Sequence, residues 1–185
     1  MWTLEYILSQ AFVIVAMIFL ASSYFVKSKK LILFVVCLSS VFSCSQYLLL
    51  HAYTGAILNV IAIFRGLWFY LEEKYKQKHS WLSLVVLILA YAVASALTFN
   101  WWIDIFAFVA ITIFTIAIWQ SNVFVYRWLS IFMSAFWIVY EVAYFSLFAV
   151  ICESIILISE VIGVILYLKS QDKQLIMDEN SFKTE

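Results

Sequence analysis

The chain has 185 residues and no formal net charge; 66% of its residues are hydrophobic, 19% aromatic and 12% charged. Water-soluble domains average about 45–50% apolar and about 25% charged residues, so this composition excludes a fold in water: too much apolar surface would stay exposed, and most of the solvent must be lipid. With no proline and three glycines, the chain fits continuous helices, and without a basic excess it offers no surface for nucleic acid.

A membrane-crossing helix needs about 20 apolar residues. Seven such stretches are read in chain order: 4–26, 31–50, 52–71, 81–99, 102–119, 124–145 and 148–168. The joins near 51 and 146 are very tight. The first stretch is expected to stay as a span: it has no Lys or Arg before it, and "KSKK" (27–30) follows it directly. The expected fold class is therefore all-α, a multi-pass transmembrane bundle over 1–168, followed by a polar and disordered cytoplasmic tail at 169–185.

The loop charges test the count. With seven spans, Lys27, Lys29, Lys30, Lys74, Lys76, Lys78 and Arg127 lie on one side with the tail residues Lys169, Lys173 and Lys183, and the other side has no Lys or Arg. Lys and Arg accumulate in cytoplasmic loops. The expected N-terminus is outside and the C-terminus inside. The tryptophans agree: Trp2, Trp101 and Trp102 fall at the outer interface, Trp68, Trp81, Trp119 and Trp128 near the inner one, and Trp137 near mid-membrane.

A weak internal repeat is visible. Shifting the chain by 97 residues aligns Lys30 with Arg127, Tyr47 with Tyr144, Gly66 with Gly163 and Tyr70 with Tyr167. The layout is three plus one plus three: repeat one over 4–71, an inverting linker helix over 81–99 and repeat two over 102–168. Parallel repeats of this kind are a transporter architecture with the substrate site at the repeat interface. Chance alignment of two aromatic-rich triplets is the alternative.

Ionisable groups inside a span are costly and usually face a cavity or a partner. Arg65, Glu141, Glu153 and Glu160 qualify, with Asn59 as an uncharged fifth, while Asp104 is near enough to the outer interface to reach water. At about 1.5 Å per residue, Arg65 lies about 5 Å and Glu160 about 3 Å to the cytoplasmic side of the midplane. Matching depth and opposite charge suggest an ion pair between the third and seventh helices, acting as a structural tie or as a gate. Glu141 and Glu153 both lie about 8–9 Å to the outer side. Two carboxylates at low dielectric do not easily ionise together, which suits proton coupling or cation binding in an outward-facing cavity. A neutral Glu bonded to Tyr140, Tyr144 or a carbonyl is the alternative. Trp137 and Tyr140 lie within one turn of Glu141, as a flat wall for a ring-like solute or as ordinary packing.

The three cysteines, Cys37, Cys44 and Cys152, make no disulfide framework, and His51 and His79 sit in separate loops with no metal cluster. No cofactor motif and no catalytic constellation is present, so an enzyme is not expected.

Two stretches, "QYLLLHAYTGAILNVIAIFR" (46–65) and "RWLSIFMSAFWIVYEVAYFSLFAVICESIILIS" (127–159), resemble the YgjV-type bacterial inner-membrane proteins. The match rests on the Asn six residues before an Arg, the W-x-x-Y pair, the Ser of the outer turn and the Glu of the last helix. That family is similar to the SWEET sugar facilitators, PQ-loop proteins and vitamin transporters of the nicotinamide-riboside type. The resemblance implies two three-helix bundles joined by an inverting helix in a bacterial inner membrane. It places Asn59 and Trp137 at pocket positions of the third and sixth helices. Their mates at the 97-residue offset are Ile156 and Ser40, and no hinge proline is present. The leading expectation is a transporter of a small polar solute through Asn59, Trp137, Tyr140, Glu141 and Glu153. The rival is a non-transporting scaffold or receptor whose buried charges fix helix packing. The partners are the bilayer and the solute; a homo-oligomer is compatible but not required, because both repeats are in one chain.

Overall fold

The computed structural model describes residues 3–23, 29–75, 80–120 and 123–182, whose regular structure is all helix, with no strand among them. The helices are α1 (Leu4–Ser23), α2 (Lys29–Leu49), α3 (Tyr53–Lys74), α4 (Trp81–Thr98), α5 (Asp104–Trp119), α6 (Val123–Ala143) and α7 (Leu147–Phe182). Each expected span carries one helix. Among the described residues α1, α3, α4 and α7 are long and apolar enough to cross a bilayer, while the apolar parts of α2 (Leu33–Leu49) and α5 are shorter. Trp2 and His79 lie outside the described residues.

The expected disordered tail is corrected. Helix α7 runs on through the polar residues to Phe182. "KSQDKQLIMDENS" contains no Gly or Pro and is rich in good helix formers, so nothing local stops the helix once the span has nucleated it.

Six helices close a ring in the order α1, α2, α3, α5, α6, α7, and back to α1. Helix α4 stands outside the ring, packed on α3 and α5. Short connections make successive helices antiparallel, so α3 and α5 run in the same direction, as do α7 and α1. The inverting helix therefore gives parallel neighbours at both places where the triplets meet. Helices α2 and α6 do not touch across the centre; large side chains span the gap between them.

The surface is inverted relative to a soluble protein. Leu97, Phe145, Leu4 and Phe64 are among the many exposed large apolar side chains, whereas Ser9, Gln10, Gln46, Arg65, Asp104, Glu141 and Glu153 are buried. A hydrocarbon solvent favours this arrangement, since polar groups facing lipid find no hydrogen-bond partner.

Two tight turns shape one end of the ring. After α2, Ala52 donates its amide to the Tyr47 carbonyl at 2.9 Å and His51 donates to Leu48 at 3.2 Å. After α6, Ser146 donates to Glu141 at 3.0 Å and Phe145 to Val142 at 3.1 Å. Both are Schellman closures, which cap helix carbonyls with a residue in the left-handed region at C′. Glycine usually fills that place, but here His51 (φ 56°) and Phe145 (φ 53°) do. The turns are 94 residues apart, His51 to Phe145, rather than the 97 of the aligned sequence. At this register Tyr47 matches Glu141, Asn59 matches Glu153 and Gly66 matches Glu160.

His51 is exposed and its side chain meets only the Tyr53 hydroxyl and ring among the described residues, at 3.2 Å from Nδ1 and 6.1 Å between ring centres, so two variants that both remove that contact differ in turn geometry alone. His51→Val should lower the thermal midpoint, at a cost of about 1–2 kcal/mol for a Cβ-branched residue held left-handed. His51→Gly, which loses the same Tyr53 contact, should have the higher midpoint of the two. Equal midpoints for the two variants would contradict this account of the turn.

Candidate functional site

The centre of the ring holds a cavity of about 60 Å³ lined by α1, α2, α3, α5, α6 and α7. It collects Asn59, Arg65, Trp137, Glu141 and Glu153 of the expected site, and adds Tyr47 and Gln46. The volume is well below the roughly 300–1,000 Å³ of small-molecule pockets and has room for a few waters.

Glu141 stands in the last turn of α6 and is 1% exposed. Its Oε1 accepts a hydrogen bond from the Tyr47 hydroxyl at 3.3 Å. Its Oε2 is buried without a hydrogen-bond partner, on a side chain that lines the cavity. The run of apolar residues around it tolerates a carboxylate because the helix turns it away from lipid.

An aromatic cluster closes over this carboxylate. Tyr47 stacks on Trp137 with ring centres 5.7 Å apart and planes 16° apart, and Tyr140 meets both rings edge-on at 5.7 Å. Tyr140 does not line the cavity. Its hydroxyl accepts the Gly55 amide at 2.9 Å, one of the first N–H groups of α3, which have no partner within their own helix. A Cβ on Gly55 would come 2.9 Å from the Tyr140 hydroxyl and 3.0 Å from the Tyr47 ring. Glycine is what allows both tyrosines against the start of α3. Asn59 turns back on its own helix, donating to the Gly55 carbonyl at 2.9 Å.

Arg65 and Glu160, expected as an ion pair, meet different partners. The Arg65 guanidinium donates to Thr115 Oγ1 at 2.9 Å and lies over the Phe114 ring at 4.9 Å. The Thr115 hydroxyl donates its own hydrogen bond to the Ile111 carbonyl at 2.7 Å, which leaves its oxygen to accept from Arg65. Glu160 Oε2 instead accepts from the Ser134 hydroxyl at 3.3 Å. The reason lies in the ring order. Helix α3 neighbours α2, α4 and α5, whereas α7 neighbours α1 and α6, so equal depth does not bring Arg65 and Glu160 together.

Ser134 is also 3.5 Å from Glu153 Oε2. One hydroxyl thus lies between the two carboxylates of α7. Below it, Arg127 Nη1 donates to the Gly163 carbonyl at 2.6 Å. A Cβ on Gly163 would meet that nitrogen at 2.7 Å.

Asp104, expected within reach of water, is completely buried. Its Oδ2 accepts the amides of Asn100 and Trp101 at 2.9 and 3.3 Å, and its Oδ1 accepts the Tyr144 hydroxyl at 3.1 Å. The group fixes the entry to α5. Cys37, Cys44 and Cys152 are free and half-buried.

Several contributors escaped sequence reading. Gln46 donates to the Ser146 hydroxyl at 2.8 Å, Gln10 accepts the Phe148 amide at 3.0 Å, and Tyr6 donates to the Phe145 carbonyl at 3.1 Å. All three pin the α6–α7 turn. Gln10 and Gln46 lie inside spans and carry the same signal as Asn59, a polar side chain that lipid does not satisfy. Ser134 and Thr115 carried none, since hydroxyls are common in membrane helices and bond their own backbone.

A family model matches residues 7–171. The chain belongs to the Imp-YgjV family of bacterial inner membrane proteins. The match covers α2, α3, α5 and α6 whole and most of α1 and α7, so the cavity and the carboxylates lie within the matched region, and the protein is a multi-pass protein of the inner membrane. No curated protein and no solved structure matches the chain significantly.

Tyr140→Phe should cost about 1–3 kcal/mol in unfolding stability, because it strands a buried amide. Gly55→Ala should cost about 1–3 kcal/mol by forcing two rings apart. Both are checked by thermal unfolding in detergent; a Tyr140→Phe midpoint equal to the parent's would remove the capping role of the hydroxyl.

Proposed function

We propose that this inner-membrane protein carries a small polar solute or ion across the bilayer through the central cavity, between the bundles α1–α3 and α5–α7. The observation that supports the reading is the shared cavity: Asn59, Trp137, Glu141, Glu153 and Arg65, from three helices, line one space in a chain whose outside is apolar. Intramembrane ionisable groups gathered on a cavity mark substrate and ion pathways more often than packing.

The space of about 60 Å³ belongs to a closed form. A solute larger than a few waters is admitted only if the two bundles part, and the α1–α7 and α3–α5 contacts are where they would do so. In this reading the loop charges set the N-terminus outside and the C-terminus in the cytoplasm, so the α6–α7 turn faces outward. No catalysis and no cofactor is invoked. The rival reading, a scaffold or receptor with inert buried charges, has its own support in the dense packing of Tyr47, Trp137 and Tyr140.

The test is thermal unfolding of the purified protein against sugars, nucleosides, vitamins, amino acids and monovalent salts. A ligand that binds only the folded state raises the midpoint with concentration. The expected result is a rise that disappears in Glu141→Gln and Trp137→Ala. No rise with any compound, from variants as stable as the parent, favours the scaffold.

Orientation is checked separately with single cysteines in a background without Cys37, Cys44 and Cys152. A membrane-impermeant thiol reagent applied outside should label Phe145→Cys and spare Lys74→Cys. The reverse pattern overturns the orientation.

A further inference from the structure

The polar lining of the central cavity is layered. Ser43, Asn59, Trp137 and Glu153 each stand six residues from the helix end at the two tight turns, which puts them in one layer about 9 Å from those ends. Tyr47 and Glu141, two residues from the same ends, lie between that layer and the turns. All six line the cavity. Arg65 lines it as well, but six residues beyond Asn59, about 9 Å further along α3. There Thr115 and Phe114 of α5 hold its guanidinium. The carboxylates are thus gathered toward the turns, and the cation is held at the far end.

The end near the turns is rich in oxygen. The Tyr47 hydroxyl fixes Glu141 Oε1 at 3.3 Å, while Oε2 is buried without a hydrogen-bond partner on a side chain 1% exposed. Asn59 bonds a carbonyl, that of Gly55, so the bonding atom is Nδ2 and the amide oxygen is left over. Gln46 donates through Nε2 to Ser146 and keeps its own carbonyl oxygen. A buried carboxylate oxygen without a partner is costly at low dielectric, and oxygen ligands suit hard cations. Charge and size narrow the choice. The lining holds two carboxylates and one guanidinium, formally one negative charge in excess. Among the described residues no cluster of three His, Cys, Asp or Glu is placed to hold a metal ion, which argues against a divalent cage. A volume of about 60 Å³ admits a small ion with one or two waters.

We propose that the end of the cavity nearest the two tight turns binds one alkali-metal cation, with Glu141 Oε2 as its anionic ligand and its other ligands drawn from the oxygens of Asn59, Gln46, Ser43 and water. Glu153, in the same layer as Asn59, supplies the second negative charge. Tyr47 orients the ligand carboxylate by holding its other oxygen. A proton is the competitor for Glu141 Oε2. The titratable and charged groups that bear on that competition are Tyr47 of α2, Arg65 of α3, Cys152 and Glu153 of α7, and Glu160, which shares the Ser134 hydroxyl with Glu153. Helices α1 and α5 line the cavity with apolar side chains alone.

The proposal deepens the transport reading and rests on it only for the cavity. The test follows the unfolding midpoint of the full chain in detergent, at constant ionic strength, as lithium, sodium or potassium replaces choline, a cation larger than the cavity admits. A ligand held only by the folded state raises the midpoint with its concentration. The expected result is such a rise for at least one of the three alkali ions at neutral pH, abolished in Glu141→Gln. In Asn59→Ala the rise should need about tenfold more ion, the loss of one ligand. Glu5→Gln, at an exposed carboxylate, should behave as the parent. Where Glu141→Gln does not fold, Tyr47→Phe keeps the carboxylate, removes the bond that orients it, and should also raise the concentration required. The proposal is overturned if choline and the alkali ions act alike, or if the rise is indifferent to all of Glu141→Gln, Asn59→Ala and Tyr47→Phe. It is equally overturned if acid alone raises the midpoint and no alkali ion does so at any pH, which would give the Glu141 oxygen to a proton. Uptake of the stabilising ion into proteoliposomes separates the two readings. An ion-dependent midpoint without uptake sustains the site and removes ion transport; uptake without an ion-dependent midpoint overturns the site and keeps transport.

Discussion

The ring depends on one constraint: a polar side chain inside hydrocarbon must find its partner within the protein. Lipid offers no hydrogen bonds, so each buried polar group turns inward or toward another helix. Glu141, Gln46, Asn59, Arg65 and Glu153 all face the same central space. The outside is left to Leu, Ile, Phe and Val. This sorting sets the rotation of each helix about its axis more firmly than apolar packing could, because apolar side chains are nearly as well solvated by lipid as by one another.

The same constraint explains the end of the ring that carries the two tight turns. Two helix-to-helix turns must close with almost no loop, where unpaired carbonyls would be costly. Both use left-handed closures that reuse backbone amides. The second turn is held further by Tyr6, Gln10 and Gln46 from α1 and α2. That pinning joins the two triplets at one end, across the α1–α7 boundary. The backbones of α2 and α6 remain apart in the middle, bridged by the Tyr47–Trp137 stack.

Much of this was legible in the chain. Apolar runs of bilayer length, the tight joins near 51 and 146, and the one-sided basic residues led to seven helices with the observed order. Asn59, Trp137, Glu141 and Glu153 were picked out as polar or aromatic groups in costly places, and the structure brings those four to one cavity. Other readings failed for a physical reason. Depth along a helix is readable at a fixed rise per residue, but lateral adjacency is not. Arg65 and Glu160 match in depth and stand on helices that do not touch. Asp104 was placed at a wet interface by position, and three hydrogen bonds at the start of α5 hold it dry. The 97-residue alignment matched side-chain identities, whereas the turns set a spacing of 94.

The sequence by itself determined the solvent, the helical class, the number of helices and which residues could not face lipid. These follow from transfer free energies and a fixed helical rise, both local properties. Only the tertiary structure decided the partners. It placed Ser134 between two carboxylates, gave Arg65 to Thr115 and Phe114, and set Tyr47 on Glu141. Those contacts depend on the order of helices around the ring, which is settled by all seven helices packing at once and is written in no single stretch of residues.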